Sequence, residues 1–527
     1  MTIDQRARSL WSRISSQQKA AFFGCLIAGY LVHLYAFTNL IPNSDGLSRV
    51  YDLQQMTVSG RWFLHYASAL NNFTQMPAVI GLLSMVFLGL AAALVADLLK
   101  LHSTVLAGLT GVLMAAFPCL GYTFLYLFTA SAYCLAISLA VLSVWLALRG
   151  NKGWLLATLV LALSMGTYQA YVTVAISLSL LVVLREVLDP QATFCSTLNL
   201  GLRLMAYLAW GAVLYYAILL FFLNVKDLEL LSYLGMDSAS SGFPFGQLPR
   251  LLVDCYKQVV AFFLIPGAAD GFLSRGMFAG NCLAIALGIA LFFYRLLAVK
   301  DGLWRPLGAL TMVALLPLGM NFMQILTPQS VPTPLMKYSF LCAYLLVVML
   351  FDRSGEEQKL PGRYSVGVIC AAILLLTFFN TNNLLYTASA QAHRAMESYA
   401  TRLLARIEDC PGYQPGMEIA IVGAIPDEQI HSSVDSYAQV DHYSVPLHTV
   451  APLNKHIYYY LNDWLSVPVD ELTEETMLAI SNSPEFQEMP LYPAQGSVQV
   501  LDGRVVVRMQ ESYSPKSDYE IAYENRR

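Results

Sequence analysis

Residues 101–148, LHSTVLAGLTGVLMAAFPCLGYTFLYLFTASAYCLAISLAVLSVWLAL, contain no Asp, Glu, Lys or Arg. A bilayer's hydrocarbon core is about 30 Å thick, and about 20 apolar residues cross it as a helix. The stretch is too long for one span and too apolar for a soluble domain. Pro118 and Gly121 mark the break between two spans, because Pro ends a helix and Gly loosens the turn beside it. This segment sets the class: a polytopic α-helical membrane protein. The whole chain agrees. Of its 527 residues 57% are hydrophobic, and the mean hydropathy is +0.54; soluble domains lie near 45–50% apolar.

Outward from that stretch, the apolar runs predict eleven helices. They lie near 20–41, 75–97, 103–118, 122–148, 153–168, 170–187, 204–225, 277–297, 307–326, 335–351 and 365–385. Residues 153–184 also lack charge, and we break them at Gly166-Thr167-Tyr168-Gln169. Arg6, Arg8, Arg13 and Lys19 precede a run too long for a signal peptide and without a cleavage site, so it reads as a retained first helix. Orientation follows from Lys and Arg in the loops. Lys100, Arg149, Lys152, Arg185, Arg203, Arg295, Lys300, Arg305, Arg353, Lys359 and Arg363 fall on one side, read as cytoplasmic with the N-terminus. The C-terminus then lies outside.

Two outer loops are long, 42–74 and 226–276. In the second, Leu248–Phe263 is amphipathic and reads equally as an interfacial helix or as one packed on the bundle. Residues 1–387 thus form the membrane domain and 388–527 a small outer α/β domain. In the latter, 391–409 reads as a helix, 417–424 as a buried strand, 472–486 as helical, and 497–510 as a hairpin turning at Asp502-Gly503.

The net charge of −4 gives no case for nucleic acid. The nine cysteines show no metal-ligand spacing; Cys255 and Cys410 fall on one side, as a pair or as free thiols. The chain lacks a phosphate loop, a GxSxG elbow, an HExxH motif and any Asp-x-Asp pair, the common metal-chelating signature of nucleotide-sugar transferases.

Candidate chemistry gathers in the first outer loop, 41–66, IPNSDGLSRVYDLQQMTVSGRWFLHY. If 45–56 is helical, Asp45, Arg49 and Asp52 share one face. Ionisable groups at membrane level are costly and usually functional; the alternative is a salt-bridged interfacial helix. Arg61, Trp62, His65 and Tyr66 read as substrate contacts or as interfacial anchors. Tyr168 and Gln169, with Tyr171, suit a sugar, by stacking and hydrogen bonding, or an aromatic belt. Arg275 and Lys337 stand at outer helix ends, where they suit a phosphate or snorkel to headgroups. Asn321, Gln324 and Gln329 read as further hydrogen-bonding groups or as links between helices. His431, His442, His448 and His456 read as surface or acceptor-side residues.

The order of a membrane helix, an acidic outer loop of the form SDG…R..D…..GRW, short helices around Tyr168-Gln169, a polytopic bundle and an outer C-terminal domain resembles the Gtr-type glucosyltransferases that modify bacterial O-antigen. These belong to the integral-membrane (GT-C) glycosyltransferases. The resemblance implies a donor of polyprenyl-phosphate sugar, undecaprenyl-phosphate glucose, and an acceptor of lipid-linked glycan, O-antigen or a related polysaccharide. It implies an inverting reaction at the outer face of the inner membrane, without cofactor or metal, in contact with membrane lipids. It assigns the general base to Asp45, with Asp52 as second choice. A flippase or transporter of lipid-linked saccharides and a polysaccharide polymerase are the competing functions.

Overall fold

The computed structural model of the protein describes residues 2–47, 56–230, 245–265, 274–298, 302–328, 332–352, 363–425 and 454–514. They divide into two compact units: Met1–Asn39 with Leu53–Asn383, and Leu40–Asp52 with Leu384–Arg527.

The first unit is helical. Its elements are α1 (Ile3–Arg13), α2 (Ser16–Thr38), α3 (Leu64–Ser68), α4 (Pro77–Leu98), α5 (Thr104–Ala116), α6 (Pro118–Leu125), α7 (Leu127–Ala147), α8 (Gly150–Thr167), α9 (Val172–Val187), α10 (Phe194–Val225), α11 (Leu248–Leu264), α12 (Arg275–Ala298), α13 (Trp304–Met320), α14 (Phe322–Leu326), α15 (Cys342–Asp352) and the start of α16 (Arg363–Glu408). Among the described residues, eight stretches are long and apolar enough to cross a membrane: α2, α4, α5 with α6, α7, Gln169–Val187, α10, α12 and Tyr364–Glu408. The sequence predicts eleven. The other three positions hold α8, α13 and α15, of 18, 17 and 11 residues. α8 is long enough but opens on Gly150 and the polar Asn151 and Lys152, whereas α13 and α15 are shorter.

Packing in this unit follows from small residues and from helix ends. Gly111 on α5 meets Ala21 of α2 so closely that a Cβ would collide with the Ala21 carbonyl, as in other small-residue membrane interfaces. Pro118 does not simply end a span. It opens α6, whose eight residues are all buried, because its fixed φ suits a first helical position. Its missing N–H leaves the Met114 carbonyl without an intrahelical donor. Tyr338 supplies one through its hydroxyl (2.8 Å), while His33 Nε2 lies 2.8 Å from the Ala115 carbonyl and Asn382 donates to Ala116 (2.9 Å).

Arginines of α9, α10 and α13 close the helix ends at the basic side. Arg305, 1% exposed, donates to the carbonyls of Val187 (3.0 Å), Asp189 (2.5 Å), Pro190 (3.1 Å) and Ala192 (2.7 Å). Arg203 donates to Ala147 (2.9 Å) and Gly150 (2.5 Å), and Arg185 to Leu98. Helix C-termini carry a partial negative charge, so these cations fit where they stand.

On α11, Leu251, Cys255, Val259, Phe262 and Phe263 are buried. Arg250 and Lys257 on the opposite arc pair with Asp254 at 3.7 and 3.9 Å. Gln258 donates to Gln324 and accepts from Asn321, both at 2.8 Å. Asn321 and Gln324 thus tie α11 to the end of α13 and to α14; Gln329 lies outside the described residues. All nine cysteines are free thiols. The suggested Cys255–Cys410 pair is not formed: each thiol donates to a carbonyl in its own unit, Asn321 and Val498, at 3.5 Å.

The second unit holds the end of α16, β1 (Ile419–Val422), α17 (Asn454–Tyr459), a π-helical turn (Tyr460–Trp464), α18 (Glu474–Ser481), α19 (Pro484–Glu488), β2 (Val498–Leu501) and β3 (Arg504–Arg508). The strand order is β1-β3-β2, with β1 parallel and β2 antiparallel to β3. Asp502 and Gly503 turn the hairpin at φ +50° and +76°, the left-handed pair that a two-residue turn requires. Side chains alternate across the sheet. Ile419, Ile421, Val505 and Val507 face α16, whereas Ala420, Val422 and Val506 pack with Met477, Phe486 and Met489. His456 is buried, not a surface residue; His431, His442 and His448 lie outside the described residues.

Candidate functional site

In the first unit the segment 56–63 is folded tightly against the end of α8. Thr57–Ser59 form a 3-10 turn, and Gly60 closes it at φ +78° by donating to the Thr57 carbonyl at 2.9 Å. A side chain there would be strained and would collide with Gln169. Phe63 N–H donates to the Gly166 carbonyl (2.7 Å), and the Trp62 ring lies directly on Gly166. The chain breaks where the sequence places the break: Tyr168 is extended (φ −156°, ψ 113°), and Gln169–Tyr171 form a 3-10 turn before α9.

Gln169 holds the loop. Its Nε2 donates to the Ser59 carbonyl (2.7 Å) and to the Tyr215 hydroxyl (3.1 Å), and that hydroxyl donates to the Gly60 carbonyl (3.1 Å). Arg61 is thereby aimed at an aromatic cluster. Its Nη1 donates to the Tyr133 hydroxyl at 3.1 Å, and its guanidinium carbon lies 4.9 Å from the Tyr168 ring centre. Tyr133 and Tyr168 stack at 4.5 Å, and Tyr171 meets Tyr168 edge-on at 5.2 Å. Arg61 is half-buried and the three tyrosines are buried. The cation is fixed by its environment, in a medium where charge acts more strongly than in water.

Lys226, just past α10, joins the same loop. Its Nζ donates to Thr57 Oγ1 at 3.3 Å and lies 5.8 Å from the Phe222 ring centre. The sequence reading did not single it out. The available signal is a lysine just past the end of an apolar run, as with Arg275 and Lys337 at the ends of theirs. Trp62 is neither an interfacial anchor nor an open platform. It is 5% exposed, stacked on Phe222 (5.8 Å) and Tyr215 (6.4 Å). His65 stacks on Phe73 at 5.0 Å, and Tyr66 is 53% exposed.

Lys337 sits between two 3-10 turns and is 1% exposed. Arg275 opens α12 and is exposed. A cation at a helix N-terminus opposes the macrodipole, so helix stability does not account for it. The structure therefore joins Arg61, Trp62, Tyr168 and Gln169 with Lys226, Tyr133 and Tyr215.

Asp45 belongs to the second unit. It is exposed on the 3-10 turn Ser44–Gly46. Gly46 N–H donates to the Asn43 carbonyl (3.0 Å) and to Asn43 Oδ1 (2.8 Å). Leu47, two residues on, is fully buried among Met396, Tyr399, Ile421 and Tyr460. Arg49 and Asp52 lie outside the described residues, as does most of the helix expected over 45–56. Among the described residues no three His, Cys, Asp or Glu side chains gather as metal ligands.

The family model described as Glucosyl transferase GtrII matches residues 34–350. The matched range includes both the Asp45 turn and the Arg61 cluster. No curated protein and no solved structure gives a significant match. With more than half of its length matched, the chain belongs to the GtrII glucosyl transferase family.

Proposed function

We propose that this glucosyltransferase takes its sugar from undecaprenyl-phosphate glucose and passes it to lipid-linked O-antigen, or a related cell-surface polysaccharide, at the outer face of the bacterial inner membrane. The observation that carries the reading is the Arg61 site. A guanidinium held over Tyr168 and bonded to Tyr133, with Lys226 at the end of α10 bonded to Thr57 of the same loop, suits the phosphate released from a lipid-linked sugar. Tyr168 and Tyr133, both buried, hold that guanidinium in place. Arg275, Lys337, His65 and Tyr66 remain proposed donor or lipid contacts.

Asp45 is the proposed general base, with Asp52 as its alternative and Arg49 as a neighbouring cation. An exposed carboxylate takes the acceptor hydroxyl's proton as that oxygen bonds to the anomeric carbon. The bond from that carbon to the phosphate oxygen breaks, its electrons go to the phosphate, and the configuration inverts. A cation aimed at the developing phosphate charge stabilises the transition state more than the ground state.

Membranes holding the chain and its acceptor are to be given undecaprenyl-phosphate [14C]glucose or UDP-[14C]glucose, with endogenous synthesis of the lipid donor blocked. Transfer is expected from the first alone, and Arg61→Ala should slow it by about 100-fold. Direct transfer from the nucleotide sugar would overturn the proposal.

A further inference from the structure

We propose that the C-terminal unit positions the general base, and that Trp464 is the positioning residue. This rests on Asp45 being that base. The family match ends at residue 350, yet the turn carrying Asp45 is built into a core made largely by residues beyond it. Leu47 is 0% exposed and packs with Met396, Tyr399 and Leu403 of α16, Ile421 of β1 and Tyr460. Trp464 Nε1–H donates to the Leu47 carbonyl at 3.0 Å. On the other side of Asp45, Asn43 is 6% exposed and clamps the Gly46 N–H. The carboxylate thus stands at the apex of a turn fixed at both feet.

The donor is itself fixed. Trp464 ends the π-helical turn Tyr460–Trp464, a rare conformation that recurs at functional sites. The following segment folds back on that turn. Asn462 Oδ1 accepts the Val469 N–H at 2.9 Å, its amide donates to the Val469 carbonyl, and Val467 N–H donates to Leu461 at 2.9 Å. The indole meets the His393 ring edge-on at 5.1 Å and stacks on Tyr460 at 6.4 Å. Packing on two sides sets the ring, so its N–H direction is determined before any substrate arrives. Supports of this kind hold a reacting group to within a fraction of an ångström, and small misplacements cost catalysis rather than binding.

The experiment uses the full-length protein in membranes, with undecaprenyl-phosphate [14C]glucose as donor and the endogenous lipid-linked glycan as acceptor. Four forms are compared: wild type, Trp464→Phe, Asp45→Asn, and the double variant. A fifth carries 3-benzothienylalanine at 464, an isostere of Trp without the N–H, which keeps the packing if Phe does not. Protease resistance of the chain confirms folding. The expected result is a kcat lowered between about 10- and 100-fold by loss of the N–H, with the donor KM unchanged. In the Asp45→Asn background the same change should lower the residual rate no further, because Trp464 acts through Asp45. Wild-type kcat in both 464 variants, with Asp45→Asn inactive, overturns the positioning role and leaves the base intact. An equal further loss in the double variant also overturns it, showing a merely structural residue. Full activity of Asp45→Asn removes the base assignment and this proposal with it.

Discussion

Gln169 shows how one side chain's role depends on what it faces. An amide beside two tyrosines suggests a sugar contact, but here its Nε2 serves the Ser59 carbonyl and the Tyr215 hydroxyl. Ser59 is 3% exposed, so its carbonyl has little water to turn to. Leaving such a group unsatisfied costs about 1–3 kcal/mol. Gln169→Ala should therefore lower the thermal unfolding midpoint in detergent and, by releasing the Arg61 loop, the transfer rate as well. A raised KM for the sugar donor with an unchanged midpoint would mean that Gln169 touches substrate instead. Arg61 depends on the same support. Lysine has no planar fork with which to bond Tyr133 while covering Tyr168.

At the scale of elements, helix ends explain much of the packing. The Met114 carbonyl loses its donor because residue 118 is proline, and Tyr338 restores it from another segment. Tyr338→Phe keeps the ring and removes that donor, and should destabilise the chain by about 1–3 kcal/mol. Thermal unfolding in detergent measures this, and an unchanged midpoint would show that water replaces the hydroxyl. Three helix-borne arginines work the same way at the basic ends. Arg185, Arg203 and Arg305 mark loop polarity in the sequence and cap helix carbonyls in the structure. Two requirements, orientation and capping, meet in the same residues.

For the whole molecule, the family fixes the activity class and the product tests the rest. Surface polysaccharide from cells with and without the chain should differ by one hexose per repeat, read by mass spectrometry. Altered chain length would indicate a polymerase, and loss of surface delivery a flippase.

The sequence alone determined the helical membrane class, the break at Tyr168 and the hairpin at Asp502-Gly503. These follow from the length of apolar runs and from turn chemistry, which act between near neighbours. It also named Asp45, Arg61, Tyr168 and Gln169, because polar groups are conspicuous in an apolar chain. It did not show that Trp62 is core, that Gln169 supports a loop, that Lys226 joins Arg61, or that the Asp45 turn is held by the C-terminal unit. Those facts rest on hydrogen bonds spanning 110, 169 and 417 residues and on the burial of Trp62. A side chain's neighbours across such separations are chosen by packing, and local pattern carries no record of them.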